Sequence, residues 1–278
     1  MASVLKLKSK SKVNIGLRII NKRKDGFHNI HTVFQELDFH DILTISKLSS
    51  GCSFSSNVDW LDDSSDNLCI KAYNLMNENY DIGGISISLN KMIPPGSGLG
   101  GGSSNAASII KAINELYELK ASYSDLEKIS SQIGADVPFF IRGGVQLGEG
   151  LGTKLTQIKK KINGFFMLVI PDFQINTSWA YSKSKILLEK PSKAVNFKYQ
   201  MEKKHIPFEL FENDFESIIC PSYPEIGVIK DELRAYNACY TSLSGSGSTV
   251  YAIFNDKADA KSAELQLSKS HITFITTP

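Results

Sequence analysis

Glycine is concentrated in one short stretch of the first half of the chain. Residues 94–107 read PPGSGLGGGSSNAA, with five glycines among fourteen residues. Glycine in an ordered segment costs conformational entropy, so this cluster indicates a sharp bend or the close approach of another group. A helical pattern follows, and the free N–H groups at a helix N-terminus bind anions. We therefore predict a loop around nucleotide phosphates, with Ser103 and Ser104 capping the helix or reaching phosphate and magnesium.

Two other nucleotide-binding loops fit the sequence less well. The P-loop pattern ends in Gly-Lys-Ser/Thr, and no lysine lies between Lys91 and Lys111, which excludes it. Residues 96–101 do match the dinucleotide fingerprint GxGxxG, but residues 90–95, with two prolines, separate them from the preceding strand pattern. A second helix then follows where that fold needs a strand carrying the ribose-binding acid. A purely structural turn would need only one or two glycines.

Six further segments complete an ordered set of motifs. They read SKVNIGL (11–17), DGFH (25–28), DNL (66–68), GADVPFF (134–140), NDFE (213–216) and SGSGS (244–248). With the glycine loop, they resemble in order the motifs of the GHMP small-molecule kinases, whose members phosphorylate galactose, homoserine, mevalonate and phosphomevalonate. Any one match would be weak, whereas the ordered set is specific. The GGGSSNAA form of the loop resembles the branch acting on a cytidine-diphosphate-linked methylerythritol in non-mevalonate isoprenoid synthesis.

Composition limits the classes of protein that the chain can represent. Its 278 residues allow one large or two ordinary domains, and 42% hydrophobic with 22% charged residues is typical of a soluble globular protein. A net charge of +2 gives no overall field for binding nucleic acid or a membrane. No apolar run is long enough to span a bilayer or to act as a secretory signal, and the scattered cysteines favour reduced thiols. We expect a cytoplasmic protein.

Hydrophobic periodicity predicts mixed secondary structure. Strands are predicted at 12–20, 31–39, 41–45, 85–89, 165–170, 239–243, 249–254 and 271–276. Helices are predicted at 68–76, 105–119, 208–219, 224–236 and 257–268, with another beginning at a Ser124 cap three residues before Glu127. Residues 49–66 are predicted to form a loop and residues 189–207 a mobile insertion.

This mixture predicts an α+β protein of two domains, 1–157 and 158–278, divided where the pattern lapses around residues 152–163. The resemblance implies the two-domain GHMP kinase fold. Its N-terminal domain is like domain 2 of ribosomal protein S5, its C-terminal α/β domain is ferredoxin-like, and the active site lies between them. The first would carry the ATP phosphate loop and the catalytic residues, and the second the substrate-binding segment and the third glycine motif (244–248).

Phosphoryl transfer requires positioning and charge stabilisation, and the acceptor hydroxyl must lose its proton. The resemblance implies that Asp136 accepts this proton and that Lys12 pairs with it and with the reacting oxygen. Asn14 identifies Lys12, rather than Lys10, as the matching lysine, although Ser11 stands where the family usually has alanine. From the residue pattern alone, Asp136 would be a turn aspartate capping a backbone N–H, and Lys12 a solvated surface group.

The resemblance also implies a site for the cytidine-bearing substrate. Phe27 and Tyr181 would stack on a cytosine ring, and His28 would hydrogen-bond to the edge of the base. Thr177 matches a substrate-binding threonine of the family, and Asn14 would contact the diphosphate or the erythritol. The family more often has tyrosine at position 27, and both aromatic residues could instead be ordinary core residues. His28 and His31 lie three residues apart, but no further His or Cys completes a metal site.

ATP is the co-substrate that the resemblance implies, with Mg²⁺ held largely by phosphates and water. Backbone N–H groups from Gly98 to Ser104 would bind the β- and γ-phosphates. Asn67 and Lys91 would line the adenine pocket, with Asn105 near them. The predicted ATP-binding residues are Pro95, Gly96, Ser97, Gly98, Leu99, Gly100, Gly101, Gly102, Ser103, Ser104, Asn105, Asn67 and Lys91.

Two alternatives remain open. The chain could be another GHMP kinase, acting on homoserine, mevalonate or a sugar, but those substrates carry no base for the aromatic residues of DGFH and of WAY (179–181) to stack on. It could also be a non-catalytic nucleotide sensor, which would need neither Lys12 nor Asp136. Partners are expected to be the small-molecule substrate and ATP, with no nucleic acid and no membrane, in a monomer or weak homodimer.

Overall fold

The structure is a computed structural model that describes residues 4–64, 66–184 and 195–278. The chain forms two compact units that interleave along the sequence. The first unit comprises the residues up to Ser11 with His40–Pro95 and Gly100–Gly143, and the second comprises Lys12–Phe39, Gly96–Leu99 and Gly144–Pro278. The single domain boundary expected after residue 157 stays a prediction.

In the sequence, four of the described strands precede the glycine loop and six follow it. They are β1 (Val4–Lys22), β2 (His28–Leu48), β3 (Cys52–Ser56), β4 (Gly84–Asn90), β5 (Val145–Gly150), β6 (Lys154–Gln157), β7 (Phe165–Ile170), β8 (Tyr240–Leu243), β9 (Val250–Phe254) and β10 (Ile272–Thr276). The segments predicted at 31–39 and 41–45 form one strand, β2, which continues through the half-buried His40 and the buried Asp41.

Most of the described helices match a predicted helix more closely at the centre than at the ends, whereas three short helices, at 137–142, 177–182 and 197–202, were not predicted. They are α1 (Leu68–Tyr80), α2 (Gly101–Leu116), α3 (Tyr123–Ser130), α4 (Val137–Arg142), α5 (Thr177–Ser182), α6 (Phe197–Glu202), α7 (Glu216–Ser222), α8 (Pro224–Ala235) and α9 (Lys257–Leu267). A single 3-10 turn covers Phe208–Leu210. Helix α2 therefore begins four residues before the predicted start at 105 and takes in the last two glycines of the loop.

The first unit is built on a β-sheet covered by helices. Residues 42–48 of β2 pair antiparallel with β4, and β4 pairs parallel with β3. Helix α2 packs against α1 and α4 through an apolar face that includes Ile109, Ile110 and Ile113, all fully buried. Burial of this face fixes the direction of α2, and therefore where its N-terminal turn lies.

The second unit contains two sets of antiparallel strands. Residues 30–35 of β2 pair with β5, which pairs with β6. A separate sheet has the order β10-β7-β9-β8, with all neighbours antiparallel. Helices α8 and α9 pack on it, and Met167, Leu233, Ala252 and Phe254 belong to the shared core. The observed elements confirm the predicted α+β class.

Three predicted segments differ from the structure. Strand β3 lies inside the predicted loop 49–66, and its alternation is hidden because its polar residues are serines. Ser122, rather than Ser124, caps α3, in a capping box with Asp125. The predicted helix 208–219 consists of the 3-10 turn and the start of α7, because the NDFE segment between them forms long-range contacts described below.

The predicted insertion at 189–207 contains helix α6, whose Phe197 and Met201 are buried. Phe197 stacks on His31 with ring centroids 5.0 Å apart, so this part of the segment packs on β2. Residues 189–194 of the prediction lie outside the described residues. Across the described ranges, no helix has both the length and the apolar character needed to cross a membrane.

Candidate active site

The first part of the glycine loop, Gly96–Leu99, is fixed by backbone contacts within the second unit. The Lys12 N–H donates to the Leu99 carbonyl at 2.9 Å, and the Thr249 N–H donates to the Ser97 carbonyl at 3.1 Å. The Ser244 hydroxyl donates to the Gly98 carbonyl at 2.9 Å. The loop therefore lies against the start of the Lys12 motif and against the third glycine motif.

Alternate glycines give this loop its shape. Gly96, Gly98 and Gly100 have positive φ angles of 65°, 79° and 74°, and such alternation turns successive N–H groups toward one concave side, as in anion-binding nests. A Cβ atom on Gly98 would lie 2.3 Å from the Ser244 carbonyl oxygen and 2.9 Å from that of Gly247. Both conformation and space thus require glycine at position 98.

The N-terminus of α2 has no side-chain cap. Its N-cap residue is Gly100, and no side-chain capping hydrogen bond is found in the described part of the chain, so the prediction that Ser103 or Ser104 caps this helix is wrong. Ser104 is buried, and its hydroxyl accepts a hydrogen bond from Ser9 at 2.9 Å. The first N–H groups of a helix have no acceptor within the helix itself. This end of α2 therefore offers donors for an anion.

A buried carboxylate, which the sequence analysis missed, lies beneath this helix start. Asp41 is fully buried, and its Oδ1 accepts the N–H groups of Met92 and Ile93 at 2.7 and 2.8 Å. Its Oδ2 contacts Lys91 Nζ at 2.5 Å and Asn105 Nδ2 at 2.9 Å. We call Asp41, Lys91 and Asn105 the Asp41 cluster. It links β2, the segment before the glycine loop and the first turns of α2.

Three predicted ATP-binding side chains therefore have partners inside the first unit. Lys91 pairs with Asp41, and Asn105 also donates to Ser9 at 2.9 Å. Asn67 caps α1, accepting the Cys69 N–H at 2.8 Å, and donates to the Asp62 carbonyl at 2.7 Å. Their contact with adenine or phosphate stays a prediction, as does that of Pro95, Gly101, Gly102 and Ser103.

Lys12 is buried rather than solvated, so the surface interpretation of this lysine is wrong. Its Nζ donates to Asn14 Oδ1 at 2.8 Å and lies 5.6 Å from the centre of the Phe34 ring. Asn14 in turn donates to the Thr32 hydroxyl at 3.0 Å. An ideal Cβ on Gly245 would lie 3.6 Å from Lys12 Nζ and 3.4 Å from Asn14 Oδ1. Lys12, Asn14 and the third glycine motif therefore lie side by side.

Asp136 lies in the first unit, at the N-cap position of α4. Its side chain makes no capping hydrogen bond, so the interpretation of Asp136 as a simple capping aspartate is wrong. The buried residues that follow it, including Pro138 and Phe139, fix the start of this short helix. Its pairing with Lys12 stays a prediction.

The residues predicted to bind cytosine lie in the second unit. The His28 ring stacks on Tyr181 with centroids 5.1 Å apart, and His28 Nε2 lies 2.9 Å from the Ser184 hydroxyl. Burial, aided by the positive charge of Lys22, lowers the pKa of His28. Phe27 is 64% exposed and so is not a core residue, whereas Tyr181 packs against the core and edge-on to Phe215.

Thr177 starts α5, and its hydroxyl lies 2.9 Å from that of Ser246 in the third glycine motif. The substrate-binding segment and this motif are therefore joined by a side-chain contact. Among the described residues, no group of three or more His, Cys, Asp or Glu side chains could hold a metal ion.

Comparison with known proteins agrees with these motifs. The sequence model of the GHMP kinases N terminal domain matches residues 67–144, and that of the GHMP kinases C terminal domain matches residues 209–272. The 4-diphosphocytidyl-2-C-methyl-D-erythritol kinase of Acetivibrio thermocellus is 37% identical over 92% of this chain and 92% of its own. Its counterpart in Chlorobaculum tepidum is 36% identical over 96% of this chain and 95% of its own.

Comparison with solved structures also finds kinases of this family. A crystal structure of 4-(cytidine 5'-diphospho)-2C-methyl-D-erythritol kinase has a TM-score of 0.85 and 27% identity, covering 98% of each chain. Mevalonate kinase of Methanococcus jannaschii, at 15% identity and a TM-score of 0.75, covers 99% of this chain and 98% of its own and shares the fold alone. Because the more similar relatives span almost the whole chain, the chain belongs to the GHMP kinase family and, within it, to the 4-diphosphocytidyl-2-C-methyl-D-erythritol kinases.

Proposed function

We propose that this protein transfers the γ-phosphoryl group of ATP to the 2-hydroxyl of 4-diphosphocytidyl-2-C-methyl-D-erythritol, giving the 2-phosphate and ADP in non-mevalonate isoprenoid synthesis. Similarity over the whole chain to kinases of that name supports the reaction. The observation that carries it in the structure is the buried Lys12 and Asn14 pair beside Gly245. Lys12 is buried and donates to Asn14 Oδ1 at 2.8 Å, and an oriented ammonium at this position would stabilise negative charge on a bound phosphoryl group.

ATP phosphates would bind along the loop from Gly98 to Ser104, where N–H groups of the glycine nest and the α2 N-terminus supply donors. Such donors are already oriented, so they stabilise charge on the transferred phosphoryl group without reorganisation. Magnesium would bind together with ATP and be held chiefly by phosphate and water oxygens. It would neutralise part of the charge on the β- and γ-phosphates.

Asp136 and Lys12 would act on the acceptor. The Asp136 carboxylate would take the proton of the 2-hydroxyl as the oxygen attacks phosphorus. Lys12 would stabilise the negative charge that develops on the reacting oxygens. Neither group would be needed by a protein that only sensed nucleotides.

The cytidine end of the substrate would bind beside His28. Phe27 offers an exposed aromatic face, and flat apolar rings stack well on a base. His28, held on Tyr181 and Ser184, would hydrogen-bond to the base edge. Thr177 and Asn14 would contact the rest of the substrate. Location in the cytoplasm and a monomeric or weakly dimeric state belong to this proposal as well.

The reaction is tested by ADP release from ATP and magnesium with four acceptors offered separately: the cytidyl substrate, homoserine, mevalonate and galactose. We expect turnover with the cytidyl substrate alone. Turnover only with one of the other three would overturn the assignment of the substrate, and ATP binding without turnover of any acceptor would favour a sensor.

Phe27→Ala tests the cytidine site in the same assay. We expect a rise of about five- to tenfold in KM for the cytidyl substrate, because loss of one stacked aromatic costs about 1 to 1.4 kcal/mol, with KM for ATP unchanged. Tyr123→Ala, which removes a similarly exposed aromatic residue from α3, is the matched control and should change neither constant. If Phe27→Ala raised only the KM for ATP, Phe27 would belong to the ATP site and not to the cytidine site.

A further inference from the structure

The NDFE segment, residues 213–216, has no role in the reaction described above, yet each of its three polar side chains forms at least two hydrogen bonds. Asn213 is 3% exposed. Its Nδ2 donates to the Leu243 carbonyl at 2.9 Å and to the Gly245 carbonyl at 2.8 Å, and its Oδ1 accepts the Phe215 N–H at 3.0 Å. Both N–H groups of the Asn213 side-chain amide therefore donate to backbone carbonyls, one just before the third glycine motif and one within it.

That motif contacts three different parts of the candidate site through three consecutive residues. Ser244 donates to the Gly98 carbonyl in the phosphate loop. Gly245 lies against Lys12 Nζ and Asn14 Oδ1. Ser246 contacts the Thr177 hydroxyl. A displacement of the Gly245 carbonyl would therefore move the surface against which the Lys12 ammonium packs.

The next residue connects the same segment to the strand that carries Lys12. Asp214 Oδ2 accepts the Ile19 N–H at 2.8 Å, and the Asp214 N–H donates to the Leu17 carbonyl, also at 2.8 Å. Arg18 pairs with Asp214 Oδ1 at 2.8 Å. Adjacent residues of one segment thus contact β1 and the third glycine motif, whose positions relative to each other determine the surroundings of Lys12.

We propose that Asn213 is a positioning residue for phosphoryl transfer, which sets the Gly245 backbone against Lys12 and Asn14 before substrates bind. This inference rests on the proposed function. A structural amide would contribute only to stability, whereas a displacement of about 1 Å in a reacting geometry costs about 100-fold in rate. Asn213 acts through Lys12, so its removal should lower kcat far more than it changes KM for ATP.

The test compares Asn213→Asp and Asn213→Ser with wild type in the full-length enzyme. Asn213→Asp keeps the shape of the side chain but places a carboxylate oxygen, which cannot donate a hydrogen bond, next to the Leu243 and Gly245 carbonyls. We expect kcat to fall about 10- to 100-fold with KM for ATP within about threefold. Gln35→Glu is the matched control, because Gln35 is equally buried and uses its amide to contact only the Ile162 backbone among the hydrogen bonds described. Its kcat should stay within about twofold of wild type.

A double-mutant cycle with Lys12→Ala separates positioning from a general structural effect. If Asn213 acts through Lys12, Asn213→Ser should lower the residual kcat of Lys12→Ala by less than about twofold, because coupled residues are not additive. An equal fold-loss in both backgrounds would overturn the proposal, and so would wild-type kcat in both folded Asn213 variants.

Hydrogen exchange of the wild-type enzyme without ligands provides a measurement that does not depend on whether the variants fold. We expect slow exchange for the backbone amides of Ser244 and Gly247, which donate to the Thr249 and Ser244 carbonyls, as in a loop ordered in advance, and rapid exchange of these two amides would overturn the proposal. This readout also separates the two claims. A protein that phosphorylates none of the acceptors but shows a protected loop contradicts the proposed function, whereas an active enzyme with a freely exchanging loop contradicts the role of Asn213.

Discussion

Gly98 combines two local constraints that a larger residue cannot meet. Its φ of 79° lies in the left-handed region, and a Cβ atom would lie 2.3 Å from the Ser244 carbonyl oxygen. Backbone atoms surround the position on that side, so the contact cannot be relieved by rotation of a side chain. The close approach of the glycine loop to the third glycine motif therefore depends on the absence of a side chain here.

We expect Gly98→Ala to lower stability by about 2 kcal/mol or more, because it adds left-handed strain to a backbone clash, and to weaken ATP binding at the displaced loop. Urea denaturation and equilibrium titration with ATP measure the two effects. Gly227→Ala, in α8 with no atom within 4 Å of the new Cβ, is the control and should leave stability equal or slightly higher. Unchanged ATP affinity in Gly98→Ala would remove this loop from the phosphate site.

His31 makes stability depend on pH. Burial, only partly opposed by the charge of Glu149, lowers the pKa of His31 in the folded protein. The unfolded chain therefore binds the proton at a higher pH than the folded protein does, and the free energy of unfolding decreases as the pH falls below about 6.5. His31→Phe keeps an aromatic ring against Phe197 without a titrating group.

We expect the wild type to lose more stability than His31→Phe between pH 7.5 and pH 5.0, as measured by urea denaturation at both values. An equal loss in wild type and His31→Phe would contradict the effect of burial on His31.

Among the elements, the Asp41 cluster explains how α2 is held at the end of the glycine loop. Asp41 lies on β2, Lys91 directly follows β4, and Asn105 lies in the second turn of α2. An ideal Cβ on Gly101 would lie 3.0 Å from Lys91 Nζ, so the helix start packs directly on this ion pair. Breaking the pair should therefore disturb the helix N-terminus as well as stability.

We expect Asp41→Asn to lower the free energy of unfolding by about 3 kcal/mol or more, because it leaves the Lys91 ammonium buried without its counter-charge. Urea denaturation measures this loss. Asp231→Asn removes an exposed carboxylate paired with Arg234 and should have little effect, since exposed ion pairs contribute little. A similar small effect in both variants would mean that the Asp41 pair does not stabilise the first unit.

The elements of the site were predictable only where the sequence pattern is local. The glycine loop, α2 and the 244–248 turn stand out because glycine and helical spacing are visible within a few residues, whereas Lys12 was identified only through the family resemblance. Asp41 and Asn213 were not identified as positioning residues, because their partners are distant in the sequence. Lys91 lies 50 residues after Asp41. Leu243 and Gly245 lie 30 and 32 residues after Asn213. The register that brings such residues together is set by packing, which a single sequence does not display.

At the scale of the whole molecule, the order of the motifs predicted the family, whereas composition predicted only the general class of protein. Net charge and hydrophobic content indicated only a globular protein, whereas seven ordered motifs indicated the GHMP kinases, which the family comparisons confirm. The predicted division at residue 157 is simpler than the interleaved units of the structure, because β1 and β2 each contribute residues to both. Lys12 belongs to the second unit and Asp136 to the first.

The central claim is that Asp136 accepts the proton of the substrate hydroxyl during phosphoryl transfer. The most direct test is the steady-state kcat of Asp136→Asn with ATP, magnesium and the cytidyl substrate, together with the affinity for ATP measured by titration. We predict that kcat falls about 100-fold or more, as expected when general-base assistance is lost, while the affinity for ATP stays within about threefold. Wild-type kcat in the folded Asp136→Asn protein would contradict the account.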